Sequence, residues 1–62
     1  MNAKIVAVLK TLRNVPAARR GAHWQIASRH AKFAKLLAGR NADAAADHLR
    51  TAEFELQFVR AA

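Results

Sequence analysis

The sequence predicts an all-α protein: an antiparallel helical hairpin (about 16–38 and 42–60) preceded by a short N-terminal helix (about 2–13), a three-helix unit expected to dimerise. Three observations carry this expectation. The single proline, Pro16, and the two glycines, Gly21 and Gly39, are the only strong breakers and divide the chain into helix-sized pieces. Within those pieces apolar residues recur three and four apart, as on one face of a helix. No stretch alternates apolar and polar residues with the period of a strand.

The first element places Ile5, Val8, Leu9, Leu12 and Val15 on one face. Pro16 disfavours the α conformation at Val15 and suits a first helical turn, so one helix is expected to end near Asn14 and the next to begin at Pro16. That second helix runs to about Ala38, with Gly39 at the position of a C-terminal glycine. Asn41 then caps the third helix, and Asp43 in its first turn complements the helix dipole.

The second and third helices share a heptad seam. His23, Ile26, His30, Phe33, Leu37 and Arg40 are spaced three, four, three, four, three, and so are Ala42, Ala45, Leu49, Ala52, Leu56 and Val59. A connection of two or three residues joins antiparallel neighbours, which brings Leu37 toward Ala45, Phe33 toward Leu49, His30 toward Ala52 and Ile26 toward Leu56. Gly21 followed by Ile26, Ser28 and Arg29 resembles the turn and second helix of a helix-turn-helix. A continuous second helix is preferred, because it keeps the seam whole and tolerates an internal glycine at a cost of about 1 kcal/mol.

Sixty-two residues make one small helical domain, 1–62, and a chain of this size buries only about 60% of its unfolded surface. Its hydrophobic fraction is 53%, but 16 of those residues are alanine, which adds little core area. Without cysteine there is neither a disulfide nor a thiolate metal site to compensate, so self-association is the expected remedy. Phe54 and Phe58, four apart and turned away from the third helix's seam, are the candidate protein interface. The longest apolar run near the N-terminus, Ile5 to Leu9, is too short for a signal-peptide core or a membrane span, so a soluble, cytoplasmic protein is expected.

Charge is the strongest compositional signal. The net charge is +7, and residues 1–42 carry nine cations and no acid, whereas all four acids lie in residues 43–62. Such self-repulsion opposes folding and draws polyanions, either nucleic acid, DNA or RNA, or an acidic protein; an arginine- and alanine-rich coding bias is the plain alternative. At about 100° per residue, Arg20, Trp24, Ser28, Lys32 and Lys35 gather on the side of the second helix opposite its seam. Two accounts of Trp24 stand side by side. In one it receives the first helix, with cationic side chains laid over its ring; in the other it is a stacking platform for a base. The candidate nucleic-acid-binding residues are Arg13, Arg19, Arg20, Trp24, Lys32 and Lys35, with phosphate contacts and no base reading.

Chemistry is sparse. His23 and His30 lie seven residues apart, about 10 Å along a helix, too far for one metal ion, and His48 would join either only through tertiary structure. The sequence sets none of its hydroxyls, on Thr11, Ser28 and Thr51, beside a base and an orienting acid. No enzyme activity, cofactor or metal is expected. In outline, a charged hairpin of this length that dimerises through its helices resembles the small RNA-binding hairpin dimers of plasmid copy control, a likeness of architecture without a shared motif. Three functions follow in order: a basic nucleic-acid-binding regulator; a protein-binding regulator or inhibitor of the phage or mobile-element kind; and a membrane-surface peptide led by residues 1–13. The last is disfavoured by a polar face thin in lysine.

Overall fold

A computed structural model of the chain describes residues 2–61, except for the side chain of Ala61. Met1 and Ala62, at the ends of the expected first helix and domain, lie outside the described residues. The elements are α1 (Ala3–Arg13), a single 3-10 turn (Ala17–Arg19), α2 (Ala22–Leu37) and α3 (Ala42–Ala61), with no strand among the described residues. Asn2 caps α1, its Oδ1 accepting from the Lys4 N–H at 2.7 Å, and Lys10 and Arg13 occupy the last turn, where cations suit the dipole. Asn41 caps α3 as the sequence suggests, its Oδ1 accepting from the Ala44 N–H at 3.1 Å.

The helices run up, down and up. The start of α1 lies at the α2–α3 connection, where Asn2 and Ile5 share a groove with Ala38, Gly39 and Ala42. Its other end lies at the end of α3, where Thr11 and Asn14 share one with Val59 and Arg60. The result is an elongated bundle of 34 × 16 × 13 Å, whose long dimension is close to the roughly 30 Å of a 20-residue helix.

One boundary differs from the sequence reading. The second helix begins at Ala22, not Pro16: Pro16 is extended at φ −57°, ψ 144°, and Gly21 takes the extended N-cap position. The 3-10 turn between them is closed by the Arg19 N–H to the Pro16 carbonyl and the Arg20 N–H to the Ala17 carbonyl. The glycine is therefore a boundary, not a tolerated interior residue. The other end of α2 is as expected, with Ala38 as C-cap and Gly39 directly after it, although no glycine among the described residues has positive φ. A right-handed turn closed by the Arg40 and Asn41 N–H groups on the Leu37 carbonyl makes the corner.

Ile5, Val8 and Leu12 of α1 pack with Leu49, Ala52, Leu56 and Val59 of α3 and with Ala27, Ala31 and Ala34 of α2 in one core. The α3 seam is the expected one from Ala45 through Leu49, Ala52 and Leu56 to Val59, while Ala42 at its start is exposed. The α2 seam is rotated: its fully buried strip is Ala27, Ala31 and Ala34, while Ile26, His30 and Leu37 are half-buried and Phe33 is 43% exposed. The physical reason is that α2 has two neighbours. Its most buried line lies between the flank that meets α3 and the flank that meets α1, so it falls on neither flank's large residues. Register shifts with it. His30 meets His48, one turn before the expected Ala52, with Nδ1 atoms 2.9 Å apart, and His23 meets Glu55 at 2.7 Å.

Because the ring centroids of His30 and His48 are 5.1 Å apart while their Nδ1 atoms are only 2.9 Å apart, the nitrogens lie between the rings, which meet edge to edge. One Nδ1 must donate and the other accept. His48→Ala leaves the half-buried His30 without this partner and is expected to cost about 1–2 kcal/mol in urea unfolding, whereas replacing both histidines with leucine costs less than the single change. Ala52→Leu, at a position with no exposed surface, is expected to cost about 1–3 kcal/mol by overpacking, measured the same way.

Candidate nucleic-acid interface

Five of the six side chains expected to meet nucleic acid line one groove. Arg13 stands at the end of α1, Arg20 on the turn, and Trp24, Lys32 and Lys35 on α2, with Leu9, Leu12 and Ser28 completing a groove of about 340 Å³. The α2 members sit at steps of four, four and three residues, which stacks them along one flank. Leu9 comes from the edge of the α1 stripe and is half-buried. Sequence reasoning named the cations and Ser28 as sharing a side of α2 but did not foresee the α1 leucines as the floor, because that depends on where α1 docks.

The joint at the end of α1 builds this groove. A helix leaves its last carbonyls without intrahelical donors, and here they are met from a distance. The Trp24 indole N–H donates to the Leu12 carbonyl at 2.8 Å. Arg20 donates through Nε to the Val15 carbonyl and through Nη2 to the Arg13 carbonyl, both at 2.9 Å. Its guanidinium carbon also lies 4.7 Å from the centroid of the Trp24 ring, a cation–π arrangement. The first account of Trp24 therefore describes its packing: the indole is half-buried, receives α1 and is covered by a cation.

Arg19 is placed elsewhere. Its Nη2 donates to the Val59 carbonyl at 3.2 Å, in the groove formed by Thr11, Asn14, Pro16 and Arg60. Adjacent arginines on a 3-10 turn thus serve opposite sides of the bundle, Arg20 tying α1 to α2 and Arg19 reaching α3.

The groove's charge is unrelieved. The ion pairs found among the described residues, His23 with Glu55 and Arg50 with Asp47, use acids of α3. Glu53 faces the other side of α1, beside Lys4 and Arg60. Arg13, Arg20, Lys32 and Lys35 consequently surround an acid-free channel with an apolar floor.

The expected protein interface also has a definite form. Phe54 and Phe58 are 59% and 38% exposed and meet edge to face at 5.3 Å, and Phe58 stacks with His23 at 4.8 Å. Among the described residues no group of three or more His, Cys, Asp or Glu side chains is arranged to hold a metal ion. No helix among them is long and apolar enough to cross a membrane.

These features define a small up-down-up three-helix bundle with a cationic groove between α1 and α2. Comparison with known protein families, curated proteins and solved structures finds nothing that matches this chain.

Trp24→Phe keeps a ring against α1 but removes the donor to Leu12. We expect it to lower stability by about 1 kcal/mol, and Trp24→Ala by about 3 kcal/mol, in urea unfolding followed by circular dichroism.

Proposed function

We propose that this protein binds nucleic acid by laying the α1–α2 groove along a phosphate backbone. The observation that carries the reading is the convergence of Arg13, Arg20, Lys32 and Lys35 on one acid-free groove while every acid of the chain sits on α3. Cations held close together, without internal counter-charges, release the counterions of a polyanion on binding. Affinity then falls with salt at a log–log slope of about −3 to −4 for four phosphate contacts. Lys32→Glu with Lys35→Glu is expected to weaken binding about tenfold or more and to flatten that slope. Arg50→Glu, on α3 and paired with Asp47, changes it little. Fluorescence anisotropy with a labelled oligonucleotide across a salt series measures both. A slope near zero, or equal effects of the two charge reversals, would falsify the reading.

A second reading rests on the exposed Phe54 and Phe58 pair, an aromatic anchor of the kind that dominates protein interfaces. It covers both a protein target, as for a regulator or inhibitor, and a second copy of this chain. A dimer is expected on sequence from a shortage of core, and α1 supplies Ile5, Val8 and Leu12 to that core within one chain, which lessens the need for a second copy.

A further inference from the structure

We infer that the groove prefers a single strand to a duplex, with one unpaired base stacked on the Arg20 guanidinium rather than on Trp24; the inference rests on the phosphate-binding reading above. Trp24 is already committed. Its N–H is given to the Leu12 carbonyl, its ring is half-buried, and Arg20 covers one face. What the groove offers a ligand at this point is therefore the arginine.

Arg20 is unusually well prepared for that task. Two hydrogen bonds, to the Val15 and Arg13 carbonyls, hold the guanidinium with its carbon 4.7 Å from the centroid of the Trp24 ring, yet the residue as a whole remains exposed. A guanidinium is planar and weakly hydrated, and bases of unpaired strands stack on such planes as they do on aromatic rings. Held in place beforehand, this one loses little freedom when a base arrives. The hydrogen bonds leave its charge in place, so the plate is also a cation.

Farther along the groove stand Lys32 and Lys35, about 12 and 16 Å along the helix from Trp24. They are placed to take phosphates of the same strand a few nucleotides away. A volume of about 340 Å³ is at the lower end for a pocket holding one small ligand. In a duplex both faces of each base are covered by its neighbours, so the plate would have nothing to stack on and only the phosphate contacts would remain. The site therefore distinguishes strands by base availability while staying indifferent to base identity, since every base has a flat face.

The test compares three labelled probes of equal length with the full chain: a single-stranded oligonucleotide, the same strand carrying abasic sugars, and the duplex. Across a salt series, the base-bearing strand is expected to bind about tenfold more tightly than the abasic strand, within the range of one base stacked on a flat side chain. The two log–log lines should be parallel, because the phosphates are the same. The duplex should bind more weakly than the base-bearing strand at every salt concentration. Arg20→Lys keeps the charge but loses the plane. The ratio of base-bearing to abasic affinity should fall from about ten toward one, whatever the change in abasic affinity itself, and circular dichroism checks that it stays folded; the wild-type comparison needs no variant. Equal binding of base-bearing and abasic strands, or tighter binding of duplex, overturns the stacked base and leaves the phosphate reading standing. Failure to bind any of the three at low salt, or preference for an acidic helical peptide at this groove, overturns both.

Discussion

The bundle depends on a strip of alanine. Ala27, Ala31 and Ala34 of α2 have no exposed surface and form the line along which α2 sits between its two neighbours. Helix separation is set by the side chains at the contact, and a methyl group is the least that a chiral residue can place there. With so little bulk on α2, the apolar volume has to come from the outer helices, from Ile5, Val8 and Leu12 on one side and Leu49, Leu56 and Val59 on the other. Larger α2 residues are displaced to its flanks. Ile26, His30 and Leu37 edge toward α3, and Trp24 toward α1, so the indole comes to rest at the rim of a groove instead of inside a core.

That displacement sets up the joint on which the candidate site stands. α1 ends with Lys10 and Arg13 in its last turn and Asn14 as its C-cap, leaving carbonyls that the 3-10 turn and α2 must satisfy. Trp24 and Arg20 satisfy them, and in doing so bring a cation onto an aromatic face beside further cations. A guanidinium placed among like charges is destabilising; two carbonyl oxygens and a ring quadrupole offset this locally without neutralising the charge. The four acids of the chain could have done so, but all lie on α3, where those that find partners meet His23 and Arg50.

Much of this was legible in the sequence, unevenly and for physical reasons. The stripes of α1 and α3 were plain because each of those helices buries a single face lined with leucine, isoleucine and valine. On α2 the same counting of large residues pointed to Phe33, which is 43% exposed, because the line that α2 buries most deeply is alanine. Gly39 marked the end of α2 correctly, and the corner there is closed by hydrogen bonds to the Leu37 carbonyl without a positive φ. Arg19 and Arg20 are equivalent in sequence. Only the 3-10 turn sends one to Val59 and the other to Arg13 and Val15. The meeting of His30 with His48 follows from a register one turn away from the one that the heptads implied.

The atoms that hold α1 in place are the same ones to which ligand capture is assigned in the proposed function. Arg20 and Trp24 close the end of α1 and also form the wall of the groove, while Leu9 and Leu12 are at once part of α1's packing and the groove's floor. The groove therefore exists only while α1 is docked. On the proposed function, a polyanion binds the folded bundle, where the cations converge, more tightly than the unfolded chain, where they are dispersed, and so stabilises the bundle by mass action. The linkage also runs the other way: loosening of α1 removes Arg13 and the carbonyls that hold Arg20, which dissolves the plate and disperses the cations together. In a domain this small, with a core made in large part of alanine, the proposed occupancy of the groove and the order of the N-terminal helix would be two aspects of one equilibrium.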